Sequence, residues 1–280
     1  MHAATSGRGA RSSDHTTAAT AGHQVACRRM STSWTDQVLR GFGQAATRYE
    51  SLAVLQRSVA QRLAGLCARS PIPQGLWVDL GSGTGLLADA LEARHPGQPV
   101  LRIDGSAEML KLHPKKAVTA LVDLNNGLPE WSADPMLLAS SFTLHWLPAP
   151  HEVLRRWFDC LGPDGWLALT VPVAGSFPQW RMAAEIAQVP CTALRFPEAH
   201  ALIQELPATA VQHQVILKLS QRADHPIRLL KPISAIGAGS TPAPSLNPAA
   251  WRRLCRAWPK PSEKDTVTLT WHVLLLLLKR

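Results

Sequence analysis

Leu76-Trp77-Val78-Asp79-Leu80-Gly81-Ser82-Gly83-Thr84-Gly85-Leu86-Leu87-Ala88-Asp89-Ala90-Leu91 is the stretch on which the reading of this chain turns. Its first five residues are apolar except for Asp79, the pattern of a short buried strand. Three alternate glycines follow, and then an amphipathic helix. Glycines are needed where a chain turns sharply and its backbone must approach a ligand with no Cβ in the way. The helix after such a turn aims its first amides at that ligand. A lone glycine turn also suits a plain strand–helix link, so its neighbours decide. Asp104 closes the next apolar run, Val100-Leu101-Arg102-Ile103-Asp104, at about the 20-residue distance where a carboxylate can accept both hydroxyls of a ribose. A nicotinamide dinucleotide fits poorly, because the last glycine of its fingerprint would fall on Leu86.

Working outward, the same strand–helix rhythm continues. A helix is expected from Ala107 to about His113, strands over 118–122 and 135–140, a helix over 151–160 and a strand over 166–171 after the turn Gly162-Pro163-Asp164-Gly165. Such alternation predicts a doubly wound, mostly parallel α/β sheet. Upstream, residues 34–67 carry apolar positions at three- and four-residue spacing, with a break expected near Gly41–Gly43 and a stop at Pro71 and Pro73. Downstream, prolines and two short helical patterns over about 172–206 suit a small helical cap. Strands over 211–219 and 266–278 and helices over 226–236 and 248–258 follow, which brings the sheet to seven strands.

Hydrophobic content of 46% and charged content of 18% exclude wholesale disorder. Residues 1–33 hold almost no large apolar residues and read as a tail without fixed structure, a transit segment or an upstream start. Residues 34–280 read as one domain. The apolar run Val273–Leu278 is far shorter than the roughly 20 residues of a spanning helix, so it reads as a buried strand and no membrane association is expected. Five scattered cysteines without a CxxC pair, and histidines without ligand spacing, predict neither disulfides nor a metal site. A reducing, cytoplasmic setting follows. The net charge of +9 points to an acidic partner or simply to solubility.

Asp79, Gly81, Gly83, Gly85 and Asp104 together resemble the nucleoside-methionine site of the class I methyltransferases. Asp123, ending the third strand, stands where that superfamily contacts adenine. A narrower likeness rests on Phe42-Gly43-Gln44-Ala45-Ala46-Thr47-Arg48-Tyr49 with Leu55-Gln56, on Ser140-Ser141-Phe142-Thr143-Leu144-His145-Trp146, on Thr170 to Pro178, and on Leu269 to Leu274. These segments are similar to those of the malonyl-acyl-carrier-protein O-methyltransferases of biotin synthesis. The chain departs from that pattern at His145, where the family has glutamine, and in the Leu-Asn-Asn-Gly that follows Asp123.

The resemblance implies a seven-stranded Rossmann-like fold and S-adenosyl-L-methionine as cofactor. It implies cofactor contacts from Ser82, Gly105, Ser106, Met109, Leu124, Ser140, Ser141 and Gln56 besides the residues above. The substrate it implies is a malonyl thioester on acyl carrier protein or coenzyme A, with no nucleic acid as partner. A carboxylate acceptor is already ionised at neutral pH, so no general base is required. One of its oxygens should be held by a cation or donor, for which Tyr49, Arg48, His145, Arg181 and Arg195 are the candidates. Tyr49, the one tyrosine in a chain with ten tryptophans, ranks first for positioning. A related enzyme acting on another small carboxylate or a quinone is the alternative. Nucleic-acid methylation lacks its (D/N)PP(Y/F) turn after the fourth strand, and Pro190-Cys191 lies too late to be a cytosine nucleophile.

Overall fold

The computed structural model describes residues 18–204, 206–260 and 266–280, with the backbone alone for 18–33. In chain order the elements are α1 (Ala18–Leu52), α2 (Val54–Cys67), β1 (Leu76–Leu80), α3 (Leu86–Glu92), β2 (Val100–Asp104), α4 (Ala107–Leu110), β3 (Thr119–Leu121), β4 (Pro135–Ser141), α5 (Pro150–Asp159), β5 (Trp166–Pro172), α6 (Pro178–Ile186), α7 (Ala199–Ile203), β6 (Val211–Ala223), α8 (Pro226–Ile233), α9 (Pro248–Arg256) and β7 (Val267–Lys279). The helix begins at Ala18, so residues 18–33, expected to lack structure, are helical in backbone; residues 1–17 lie outside the described residues.

Seven strands form one sheet in the order β3-β2-β1-β4-β5-β7-β6. Strands β1 to β5 run parallel, and β7 runs antiparallel to both of its neighbours. The order reverses at β1, which pairs with β2 on one side and β4 on the other. Ligands of open α/β sheets bind beside such a reversal, outside the carboxyl ends of the strands. Leu80, Asp104 and Ser141 end β1, β2 and β4 there.

Alternation of side chains divides the core in two. Val78, Leu138 and Leu169 pack with Leu154 and Trp157 of α5 on one face. Trp77, Leu137 and Ala168 pack with Leu63 of α2 and Leu91 of α3 on the other. The leucine run of β7 serves both, with Leu274, Leu276 and Leu278 on the first face and Leu275 and Leu277 on the second. A strand buried on both sides needs this unbroken apolar pattern. No helix among the described residues is long and apolar enough to cross a membrane.

The cap is larger than the sequence suggested. Trp180 and Ala183 of α6 form one cluster with Leu229 and Ile233 of α8, Leu254 of α9 and the start of β7. Helix α1 also runs unbroken through Gly41 and Gly43, and the interruption falls at the fully buried Ala53 instead. The glycines serve a close approach. A Cβ on Gly41 would stand 3.1 Å from the carbonyl oxygen of Gly237, in the π-helical turn Ser234–Ala238. Gly237 itself has φ +86°, and a Cβ there would lie 2.7 Å from Gly41 O and Phe42 Cα. Gly237→Ala is therefore expected to cost about 2 kcal/mol or more, the left-handed penalty of roughly 1–2 kcal/mol plus a backbone clash. Urea unfolding measures it; a loss under about 0.5 kcal/mol would mean that α1 is not clamped here.

Candidate active site

Two cavities meet above the carboxyl ends of β1, β2 and β4. The first is lined by Gly81, Gly83, Asp104, Gly105, Met109, Asp123, Leu124, Asn125 and Ser141, and is closed from above by Thr35, Val38, Leu39 and Phe42 of α1. It continues into a narrow recess bounded by Gln56, Asp79, Ser82, Leu86 and Ser141. Backbone geometry shapes both. Gly81 has φ +70°, and a Cβ there would fall 2.3 Å from the side chain of Thr143, whose hydroxyl donates to Gly81 O at 3.1 Å. Gly83, at φ +55°, faces open space. Its N–H donates to Asp104 Oδ2 at 2.8 Å, while Asp104 Oδ1 accepts the Ser106 N–H at 2.8 Å. One carboxylate thus ties the glycine turn to the start of α4.

A buried relay pins the same turn from below. Arg102, 1% exposed, pairs with Asp89 at 2.7 Å and Glu92 at 2.7 Å. Its Nη1 also meets His113 Nδ1 at 3.1 Å. Arginine can only donate, so Nδ1 accepts and the His113 Nε2–H donates to Gly83 O at 2.8 Å. A Cβ on Gly85, at φ +99°, would stand 2.8 Å from Arg102 Nη1, so this glycine makes room for the relay.

The electrostatics point to a ligand with both a cation and hydroxyls. Asp79 is 1% exposed; Oδ2 accepts the Ala88 N–H at 3.1 Å, but Oδ1 has no partner among the described residues. Burial pushes its carboxyl up to about 7, with the Ala88 N–H and Arg102 opposing and Asp104 and Asp89 adding to the rise. Burial also raises Asp104, against the Ser106 and Gly83 N–H groups and His113. The hydroxyls of Ser82 and Thr84 are likewise buried and unpartnered. A cofactor with an ammonium group at Asp79, a ribose at Asp104 and an adenine beside Asp123 and Leu124 fits these residues.

The second cavity, about 240 Å³, shares Phe42, Tyr49, Phe142 and Trp146 with the first. Its walls are rings: His145 lies 4.8 Å from Trp146 and 5.3 Å from Phe196 between centroids, and Phe177 stands 5.5 Å from Phe196 and 4.4 Å from Trp271. Phe142 and Phe177 hold left-handed backbones, φ 58° and 61°, a strain that concentrates at functional sites. Leu230, Ile236, Leu246 and Trp251 close the far side. No lysine or arginine lines the chamber among the described residues. Burial drives the His145 imidazole down to about 3, so it is neutral at any physiological pH. Burial, then the charge of Asp104, holds the Tyr49 phenol well above its ordinary value. Tyr49 is therefore a hydrogen-bond donor at the junction of both cavities.

Most of the expected cofactor residues line the first cavity or its recess: Gln56, Asp79, Gly81, Ser82, Gly83, Asp104, Gly105, Met109, Asp123, Leu124 and Ser141. Three others do structural work. Ser140 donates to Leu80 O at 2.9 Å as a strut between strands, Ser106 caps α4, and Gly85 faces Arg102. Among the described residues, the expected cation does not line the chamber either. Arg48 is exposed in a groove between α1 and the Ser234–Ser240 turn, Arg195 is exposed, and Arg181 donates to the carbonyls of Ser176 and Leu194. The roof residues of α1, Thr143 and the aromatic walls were not singled out from sequence, because a chamber wall and a core have the same composition. No His, Cys, Asp or Glu cluster among the described residues could hold a metal.

Comparison with known proteins places this geometry. The family described as "Methyltransferase domain" matches residues 52–212, more than half of the chain. The trans-aconitate 2-methyltransferase of Mycobacterium tuberculosis is 35% identical over 96 residues, 34% of this chain. The match spans only 36% of that relative's length. The malonyl-[acyl-carrier protein] O-methyltransferase of Laribacter hongkongensis is 28% identical over 259 residues, 85% of this chain and 86% of that protein. Among solved structures, a candidate methyltransferase of Bacillus halodurans superposes with a TM-score of 0.53 at 12% identity, over 78% of this chain and 97% of its own. The YcgJ protein of Bacillus subtilis does so with 0.50 at 12% identity, over 78% and 98%. At such identity the likeness extends to the fold.

Proposed function

Since the chain belongs to the methyltransferase-domain family, we propose that it transfers a methyl group from S-adenosyl-L-methionine to the free carboxylate of a malonyl thioester. The observation that carries this reading is the pair of cavities joined at Tyr49, one bearing the carboxylates of Asp104 and Asp123, the other aromatic and free of fixed cations among the described residues. The full-length likeness to a malonyl-carrier methyltransferase supports the substrate.

When bound, the cofactor supplies a methyl carbon activated by a positive sulfonium. Everything else falls to the chain. Asp79 would hold the ammonium of the cofactor and Asp104 its ribose, and the glycine turn would let the backbone lie against it. Phe42, Phe142 and Trp146 exclude water where the cavities meet. The acceptor needs no base, since a carboxylate is ionised at neutral pH, and His145, kept neutral by burial, is not a counter-charge to it. Tyr49 O–H donates to one carboxylate oxygen and leaves the other to attack. Holding the reactants in line contributes on the order of 7–11 kcal/mol. Attack by an anion on a cation cancels charge, so a poorly solvating chamber favours the step. An arginine there would stabilise the carboxylate before reaction and oppose it.

Trans-aconitate carries three carboxylates, and a chamber with no lysine or arginine among its described lining residues suits it poorly. Another small carboxylate or a quinone is the alternative acceptor. The net charge of +9 suits an acidic carrier, and the methyl ester formed would disguise malonyl as an ordinary acyl chain at the start of pimeloyl assembly for biotin. The test is transfer of radiolabelled methyl to malonyl-carrier protein, with acetyl-carrier protein and trans-aconitate alongside. Label on the malonyl form alone is expected. Label on trans-aconitate replaces the substrate; no label from a protein that binds the cofactor overturns the malonyl reading.

A further inference from the structure

Polar atoms in the cap are paired almost throughout. Gln179 exchanges two hydrogen bonds with Thr270, at 2.9 and 3.0 Å. The Ser176 hydroxyl bridges the N–H and C=O of His272. Two indoles of the cap cluster are satisfied as well: Trp258 Nε1 donates to Thr268 O and Trp271 Nε1 to Gln221 Oε1. Against that background two atoms stand out. Trp180 Nε1 and Thr192 Oγ1 are buried and have no partner among the described residues, and both residues line the aromatic chamber, as does His145, whose Nδ1 is also buried and unpartnered. Trp180 is 8% exposed, held by Phe177 at 5.8 Å between ring centroids. Burying a donor without a partner is costly, and native proteins leave few such groups unless something fills the place.

Trp180 and Thr192 belong to the segment between β5 and β6. His145 and Tyr49 stand toward the cofactor side, where the chamber shares Trp146 and Phe142 with the first cavity. Phe196 and Phe177 are interposed, since His145 touches Phe196, Phe196 touches Phe177, and Phe177 touches Trp180. Two rings therefore stand between the His145 end of the chamber and the indole, and the Thr192 hydroxyl opens on the same chamber. The indole and hydroxyl meet a different part of the acceptor.

We propose that the Trp180 indole N–H and the Thr192 hydroxyl are neutral donors for an amide carbonyl oxygen of the acceptor's tether, on the far side of the thioester from the carboxylate that is methylated. The inference rests on the second cavity being the acceptor chamber. Neutral donors in an aromatic wall favour an uncharged carbonyl over a second carboxylate, whose desolvation they would not offset. The site thus selects a monoanion attached to a carbonyl-bearing chain and rejects a free diacid or polyacid.

The test uses Trp180→Phe, which keeps an aromatic ring and removes the N–H, and Thr192→Val, which keeps the shape and removes the hydroxyl. Each is expected to raise KM for malonyl-carrier protein about tenfold, with kcat within a factor of about two and affinity for S-adenosyl-homocysteine unchanged. An unchanged KM in both variants overturns the inference and leaves the substrate reading intact. If the wild-type protein methylates no malonyl thioester, the substrate reading fails and a second measurement decides this one. In 15N-tryptophan-labelled protein with S-adenosyl-homocysteine, the Trp180 indole resonance is identified by its loss in Trp180→Phe. Its movement on titration with acetyl- or butyryl-N-acetylcysteamine thioesters supports the donor site; its silence overturns it.

Discussion

Asp104→Ala is expected to abolish methyl transfer at ordinary cofactor concentrations, by weakening affinity for S-adenosyl-L-methionine at least about a hundredfold. Two roles are lost together. The carboxylate accepts the Gly83 and Ser106 N–H groups, so removing it leaves two amides unpaired and frees the glycine turn. It also faces the first cavity, where a ribose would offer two hydroxyls. A hydrogen bond to a charged acceptor is worth roughly 1.5–3 kcal/mol, and two of them give a hundredfold or more. Calorimetric titration of the cofactor is the measurement, with circular dichroism to establish that the variant folds. A dissociation constant within threefold of wild type would remove Asp104 from the cofactor site. The pH dependence has a definite sign. Burial raises the Asp104 carboxyl, and binding uses its ionised form, so affinity should fall as pH drops, beginning above the usual carboxylate range.

The parts of this site that were legible in the sequence are those where backbone geometry restricts the residue. Gly81 and Gly83 occupy positive φ next to a side chain or a cavity, and only glycine does so freely. Asp79 and Asp104 were legible because an acid ending an apolar strand has few reasons to be there. The chamber was not legible for the opposite reason. Phe177, Trp180 and Trp271 belong to the same cluster as ordinary core residues such as Leu254 and Val273, and nothing in their spacing says which side faces a void. Charge carries even less of an address. Arg48, Arg181 and Arg195 looked equivalent, yet the structure puts two at the surface and uses the third to bind loop carbonyls. Helix boundaries erred where tertiary contacts overrode local signals, as at Gly41, which stays helical because α1 must touch Gly237.

Asp79→Asn is expected to make the cofactor-free protein more stable and a poorer enzyme. The carboxyl is pushed up to about 7 in the fold from an ordinary value near 3.8. The folded state therefore holds more protons than the unfolded chain between about pH 4 and pH 7, and stability declines as pH rises through that window. Above it the penalty is fully felt, on the order of 4 kcal/mol for a shift of this size. Asparagine removes the charge while its amide oxygen can still accept the Ala88 N–H, so the decline should vanish and urea-unfolding stability at pH 8 should rise. The compensating loss lies in binding. Asp79 Oδ1 is buried and unpartnered, and in the proposed complex it meets the ammonium of the cofactor, neutralising two charges that are each costly to bury alone. Without it that ammonium enters a buried recess unpaired, a loss of about 3–5 kcal/mol, or more than a hundredfold in affinity. Saturating cofactor should conversely flatten the pH dependence of the wild-type protein, since the ammonium stabilises the ionised carboxylate. If Asp79→Asn loses stability at pH 8 and keeps its cofactor affinity, the buried acid is a structural acceptor for the α3 N–H alone.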